Sequence, residues 1–309
     1  MLLESPSEWK DYELIDSGDF QKLERFGRYV LIRPEPKALW KPSLSDREWM
    51  NMAHTKFTTG AGFGKSGKED SGTWHTLKKM DEQWLISYNK SELSFRLRLG
   101  LTSFKHVGVF PEQAPNWDYI FNATKQLVDK SDGIKPKVLN LFAYTGAASL
   151  TARAAGADVT HLDSVKQVVT WSRANMELSS LDNIRWVIED ALSFVKRESK
   201  RGNLYKGIIM DPPAYGHGPS GERWKLDEHL FELLTGVAKI LAPERSFLVL
   251  NLYSNGYSAV LADTLVRSAF LNGKSPDEFS GNMLEYGELF LRDRFGKNLP
   301  LSVFVRLNR

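Results

Sequence analysis

The stretch KVLNLFAYTGAASLTARAAGADVTHLD, residues 137–163, decides how this chain is read. KVLNLF (137–142) is a short apolar run that stops at a turn, the pattern of a buried strand. TGAASLTARAAGA is rich in alanine, the best helix former, with Thr145 placed to cap its start and Gly156 to end it. DVTHLD (158–163) returns to the pattern of a strand. A helix between two buried strands is the repeating unit of a parallel sheet.

Downstream the unit repeats. SVKQVVTWSRANMEL (164–178) reads as a helix with Val165, Val168, Val169, Ser172 and Met176 along one face. IRWVIED (184–190) is a third strand, ALSFVKRES a helix, and KGIIMD (206–211) a fourth strand. HLFELLTGVAKIL carries Leu230, Leu234, Val237 and Leu241 on one stripe; SFLVLNLY (246–253) is a fifth strand and SAVLADTLVRSAF a further helix. GELFLRDRFGKNLPLSVFVRLN, turning at Phe295 and Gly296, reads as a closing hairpin that adds an antiparallel strand at one sheet edge. Strands that are apolar throughout, alternating with helices, imply a mostly parallel sheet covered on both faces. Such a sheet binds ligands at the carboxyl ends of its strands.

Upstream the composition differs. RYVLIRP (28–34), EQWLISYN (82–89) and SFRLRLGLTSF (94–104) are short segments with period-two alternation, clearest at Phe95, Leu97, Leu99 and Leu101. TTGAGFGKSGKEDSGTW (58–74) reads as a long mobile loop. Residues 1–105 are therefore expected to form a small β-rich domain and residues 106–309 the α/β domain. The chain has 309 residues, a net charge of +3 and no cysteine. The charge argues against a protein that coats DNA, though a local basic face stays open. The missing cysteines exclude disulfides, thiolate metal sites and cysteine nucleophiles, and fit a cytoplasmic protein. The acidic amino terminus, broken by Pro6, is not a signal peptide, and no apolar run is long enough to span a membrane.

Polar groups close three consecutive strands. After 137–142, Gly146 with Ala147, Ala148 and Ser149 lets a ligand approach the backbone at a helix start. Asp163 ends the second strand, where a carboxylate accepts the two hydroxyls of a ribose. Asp190 and Ala191 follow the third, where a side chain and a backbone N–H suit the edge of an adenine. Each also has a structural reading, the two aspartates as helix N-caps. The first turn has one glycine of the three that a dinucleotide fingerprint needs, so a nucleoside without a pyrophosphate fits it better.

The fourth strand runs into MDPPAYGHGPSGERW (210–224). LNLFAYTGAASL, HLDSV, EDAL and DPPAY, in that order, resemble the class I S-adenosylmethionine-dependent methyltransferases. The resemblance is to the branch containing the bacterial large-subunit ribosomal-RNA methyltransferases of the RlmI and RlmK type, and it covers residues 106–309. It implies a Rossmann-like sheet and S-adenosylmethionine as cofactor. It puts Asn140, Phe142, Tyr144, Thr145, Gly146, Ala147 and Ser149 in the first cofactor motif, with Asp163 and Ser164 at the ribose and Asp190 and Ala191 at the adenine. HVGVFPEQAPNW (106–117) is similar to a stretch ahead of the fold that brings Phe110 and Gln113 to the cofactor. Asp211, Pro212, Pro213 and Tyr215 take the acceptor side. The chain departs from the pattern at Asn140 and Ala147, where an acidic residue and a second glycine are usual.

The residue types suit that chemistry. A carboxylate and the carbonyls of a Pro-Pro turn accept hydrogen bonds from an N–H and leave the nitrogen lone pair to face a methyl donor, while Tyr215 stacks on a flat base. A paired target must be flipped out to reach such a turn. Methylation at carbon 5 of a pyrimidine uses a thiolate that this chain lacks, so a base nitrogen is the expected acceptor. The bland alternative has Pro212 and Pro213 ending a strand and Tyr215 packing in the core. Arg96, Arg98 and His106 on one strand face, and Lys65, Lys68, Lys78 and Lys79 with Phe63 and Trp74 around the loop, suit single-stranded RNA or a solvated surface equally. Arg223 and Trp224 clamp a base or anchor the loop; His217 shuttles a proton or faces solvent. The expected partner is ribosomal RNA, with no membrane and no metal. A protein or small-molecule substrate, a silent RNA-binding module of the same fold, and a dehydrogenase are the rival readings.

Overall fold

The computed structural model describes residues 1–60, 71–253, 256–271 and 283–309. By contacts the chain divides into Met1–Glu4, Pro115–Leu289 and Ser302–Arg309 as one unit, and Ser5–Ala114 with Phe290–Leu301 as another.

The larger unit holds an eight-stranded sheet in the order Leu2–Glu4, Met283–Arg292, Asn298–Asn308, Phe247–Tyr253, Gly207–Met210, Lys137–Leu141, Asp158–Asp163, Ile184–Ile188. The last five are parallel. Their sequences explain this. Val138, Leu139, Leu141, Ile208, Met210, Leu248 and Leu250 are all fully buried, and strands covered on both faces need no polar alternation. Burying each such side chain contributes roughly 1.5–3 kcal/mol. Leu226, Leu230, Leu233, Leu234, Val237 and Ile240 form the buried stripe of the Leu226–Ile240 helix. It packs in one cluster with Phe194 and Val195, with Ala262 and Val266, and with Leu248 and Leu250 of the sheet.

The chain leaves Lys137–Leu141 toward one side through Asp158–Asp163 and Ile184–Ile188. It then returns to the other side at Gly207–Met210. The turn after Lys137–Leu141 is thus the topological switch point, where open α/β sheets bind ligands.

Three expectations about this unit are corrected. The closing hairpin is not the sheet edge: Asn298–Asn308 pairs antiparallel with Phe247–Tyr253, and the edge is Leu2–Glu4, parallel to Met283–Arg292. Three residues of an acidic amino terminus carry too little pattern to announce that strand. On the Lys166–Leu178 helix the buried residues are Val169, Ser172 and Asn175. Val165 precedes the helix and is 45% exposed. Thr145 does not cap the Ala147–Ala154 helix. Gly146 does, with φ of 95°, a left-handed bend that glycine takes without a Cβ clash.

The smaller unit contains a five-stranded sheet in the order Tyr12–Gly18, Gln21–Phe26, Tyr29–Pro34, Thr55–Thr59, Gly72–Thr76, and a ribbon of Gln83–Lys90 with Leu93–Gly100. Leu93, Phe95, Leu97 and Leu99 are buried while Arg96 is exposed and Arg98 half-buried, as the alternation requires. The strand ends at Gly100, so His106 lies beyond it and does not share the face of Arg96 and Arg98. The stretch expected as a loop is trimmed by Thr55–Thr59 and Gly72–Thr76, which pair antiparallel. Trp74 sits in the second of these, edge-on to Phe57 at 5.0 Å. Phe63, Lys65 and Lys68 lie outside the described residues. Tyr12–Gly18 and Gln21–Phe26 escape a pattern reading because charges interrupt them. Asp16 is buried but accepts from Trp49 Nε1 at 2.9 Å and Lys297 Nζ at 2.7 Å. Glu24 is buried against Arg33 at 2.7 Å. Burial of a charge depends on such partners, which are distant in sequence.

Candidate functional site

The turn after Lys137–Leu141 is held in an unusual conformation. Phe142, Tyr144 and Gly146 have φ of 56°, 49° and 95°. Non-glycine residues in this region carry strain of about 1–3 kcal/mol and persist where their surroundings over-determine them. The surroundings do so here. Ala143 N–H donates to Leu162 O at 3.0 Å and Gly146 N–H to Ala143 O at 3.1 Å. Tyr144 N–H donates to Asp163 Oδ2 at 2.9 Å. Ser172 Oγ donates to the Tyr144 carbonyl at 2.6 Å, and Asn175 Nδ2 to the Thr145 carbonyl at 2.9 Å. These bonds explain the polar buried face of the Lys166–Leu178 helix. A Cβ on Gly146 would stand 3.2 Å from Ser172 Cβ and Oγ.

Asp163 ends its strand with both oxygens engaged. Oδ2 takes Tyr144 N–H, and Oδ1 takes Val165 N–H at 3.0 Å. Burial raises its pKa, opposed by hydrogen bonds from the backbone of Val165, Tyr144 and Ser164. A carboxylate has about four lone-pair sites, so capacity for a further donor remains. Asp190 caps the Ala191–Lys200 helix, its Oδ2 accepting from Ser193 N–H at 2.8 Å. Ala191 is buried. Two apolar side chains stand exposed beside these aspartates, Val165 at 45% and Ile188 at 42%.

Asn140 and Ser149 face inward. Asn140 Nδ2 donates to Ser149 Oγ at 2.9 Å, and Ser149 Oγ lies 2.9 Å from His161 Nδ1. His161 is fully buried, against Trp186 at 4.8 Å between ring centres. Burial pushes its pKa down to about 3, so the ring is neutral. The three side chains form the floor under the turn.

On the other side of Lys137–Leu141, the chain leaves Gly207–Met210 through Asp211. Its Oδ1 accepts from Asn251 Nδ2 at 2.7 Å. Pro212 is buried and Pro213 exposed. The Pro213 carbonyl accepts from Trp224 Nε1 at 2.6 Å. Trp224 is 5% exposed and packs on Phe142, 4.9 Å between ring centres, so it anchors the loop. Tyr215–His217 pairs antiparallel with Arg223–Lys225. That small hairpin leaves Tyr215 47% exposed, with His217 and Arg223 also exposed.

The structure therefore brings Phe142–Ala147, Asp163, Ser164, Asp190 and Asp211 to the carboxyl ends of four adjacent parallel strands. Asp163 and Asp211 flank the central strand, two strand spacings or about 10 Å apart. Phe110 and Gln113 belong to the other unit. Phe110 precedes the Pro111–Gln113 turn and lies 4.9 Å from the His106 ring; Gln113 is 8% exposed. Sequence reasoning missed Ser172 and Asn175 as ties to the turn, Val165 and Ile188 as exposed apolar groups, and Asn251. The available signal was polar residues at positions where the period demands apolar ones. Among the described residues no cluster of side chains suits a metal ion, and no helix is long and apolar enough to cross a membrane.

No family model matches the chain. A crystal structure of the S-adenosylmethionine-dependent methyltransferase from Agrobacterium tumefaciens is 37% identical, with a TM-score of 0.86, over 100% of this chain and 93% of that one. A structure from Streptococcus mutans, 18% identical over 97% of this chain and 76% of that one, has a TM-score of 0.70 and shows the fold alone. Among curated proteins, the ribosomal RNA large subunit methyltransferase K/L of Shewanella frigidimarina is 30% identical over 179 residues, 56% of this chain and 23% of that protein. Its counterpart in Shewanella baltica is 27% identical over 232 residues, 72% of this chain and 31% of that protein. The chain spans less than a third of these curated relatives.

Proposed function

This chain belongs to the S-adenosylmethionine-dependent methyltransferases, and from that premise we propose that it methylates a base nitrogen in large-subunit ribosomal RNA. The observation that carries the reading is the placement of acceptor groups on neighbouring strand tips around a left-handed turn. The residues fit the cofactor. The turn at 142–146 exposes backbone without bulk at Gly146, Asp163 retains acceptor capacity for ribose hydroxyls, and Asp190 with Ala191 N–H suits an adenine edge. Val165 and Ile188 offer apolar surface for the faces of that ring. When bound, S-adenosylmethionine supplies a methyl group already activated on a sulfonium.

The protein's task is then alignment and exclusion of water. Asp211 and the Pro212–Pro213 carbonyls accept from an N–H of the target base and orient it. Tyr215, half exposed on its hairpin, gives that base a stacking surface. The absence of cysteine supports a nitrogen acceptor, and the names of the Shewanella relatives support ribosomal RNA. The larger unit acts as the transfer domain and the smaller unit, Ser5–Ala114 with Phe290–Leu301, as a recognition domain, with exposed Arg96, Lys78 and Lys79 for phosphates. The compartment is the cytoplasm, where that RNA is assembled.

The test uses methyl-labelled S-adenosylmethionine and ribosomal RNA from a strain lacking the gene. Label mapped to a nitrogen of one large-subunit base is the expected result. Label found only in protein or small molecules, with no salt-sensitive RNA binding, would remove the substrate half of the proposal.

A further inference from the structure

One amide interrupts an otherwise apolar, buried strand of the sheet. In FLVLNLY, Phe247–Tyr253, the other interior residues are aliphatic or aromatic and the strand is buried through Leu252. Asn251 is 2% exposed. It follows Leu250, whose register partner Met210 precedes Asp211, so the two side chains meet at adjacent strand tips. Asn251 Nδ2 donates to Asp211 Oδ1 at 2.7 Å. Its own Oδ1 is buried and has no hydrogen-bond partner among the described residues. The opposite amide orientation would set two oxygens against each other, so the carboxylate itself fixes which way the amide points. An aliphatic residue would fill the same position and strand no acceptor. The amide therefore does nothing for the strand's packing that leucine would not do better.

We infer that Asn251 is a positioning residue for methyl transfer, holding the Asp211 carboxylate in place at the acceptor turn. It acts through Asp211 and need not touch the cofactor. A donated N–H also favours the ionised carboxylate, which keeps Asp211 an acceptor for the N–H groups of a base. The inference rests on the transfer reading above, and its test separates the two.

The experiment compares wild type, Asn251→Leu and Asn251→Asp. Affinity for S-adenosylhomocysteine is read by calorimetry and transfer to ribosomal RNA by label. In Asn251→Leu, kcat is expected to fall at least thirtyfold, with cofactor affinity and the KM for RNA changed less than threefold. Asn251→Asp keeps the shape and serves if the leucine variant does not fold. Its carboxyl donates to Asp211 only when protonated, so its deficit is expected to shrink as pH is lowered, a recovery that simple damage to the strand does not give. An unchanged kcat in Asn251→Leu, or equal loss of cofactor affinity and transfer in both variants, overturns the inference. If wild type transfers nothing to RNA, the substrate reading falls and a second readout decides. The Asn251 side-chain amide protons, assigned in an asparagine-labelled NMR spectrum by their loss in Asn251→Leu, are expected to move when Asp211→Asn is introduced. Unmoved resonances overturn the inference whatever the substrate.

Discussion

Two turns on neighbouring strands of one sheet are held in opposite ways. The turn at 142–146, proposed to face the methyl donor, is strained and tied at nearly every residue, by Leu162, Asp163, Ser172 and Asn175. The turn at 211–215, proposed to face the acceptor, has no left-handed residue; it is held by Asn251 on Asp211, Trp224 on the Pro213 carbonyl, Leu226 N–H on the Ala214 carbonyl and the pairing of Tyr215 with Lys225, and it ends in a half-exposed tyrosine. A cofactor of constant shape suits a rigid cradle. A base presented by a large, variable substrate suits an unstrained surface that ends in an exposed ring. Breaking the first turn should therefore damage binding and stability, and breaking the second should damage transfer.

The largest effect is expected at Asp211. Asp211→Ala should lower single-turnover transfer on the order of 10²–10³-fold, while calorimetry with S-adenosylhomocysteine gives wild-type affinity. Next comes Asp163→Ala, which removes an acceptor from the proposed ribose site. Cofactor affinity should drop about 10- to 100-fold, and the loss should persist at saturating RNA. Gly146→Ala forces a Cβ into a left-handed position beside Ser172. Denaturant titration should register about 1–2 kcal/mol of destabilisation.

His161 offers a pH test of the floor beneath the 142–146 turn. Its folded pKa lies near 3, below the ordinary 6.5. The unfolded chain takes a proton as pH falls through 6.5 and the folded chain does not until about pH 3, so stability is lost over that window. The slope approaches about 1.4 kcal/mol per pH unit. Melting curves of His161→Phe between those values should lack that component. The smallest change is Trp224→Phe, which keeps an aromatic ring on Phe142 but removes the bond to Pro213. Transfer should slip by a few fold, from about 1 kcal/mol of lost anchoring, with cofactor affinity unaltered.

The same contrast governs what the sequence made legible. The central strands and the Leu226–Ile240 stripe were readable because burial on both faces, or on one helical face, leaves a periodic record in a few residues. Asp163, Asp190 and Asp211 were readable because each lies at, or within two residues of, the carboxyl end of a strand. Other features depend on partners far away in the chain. Leu2–Glu4 joins the sheet through a strand more than 280 residues later, and the buried Asp16 is partnered by Trp49 and Lys297, both distant in the chain. Thr145 was the obvious helix cap by residue type, but the φ of Gly146 moved the cap by one residue. Ser172 was counted on an apolar face and Asn175 passed over, because the strained carbonyls they bind are on another element. Asn251 was hidden for the same reason: a single amide in FLVLNLY has no meaning until Asp211 is placed beside it.

The most direct test of the account is the position of S-adenosylhomocysteine in a crystal of this protein. The account predicts ribose hydroxyls within hydrogen-bonding reach of Asp163, the adenine beside Asp190, and the sulfur directed toward Asp211. Density on another edge of the sheet, or a ribose that does not meet Asp163, would contradict it.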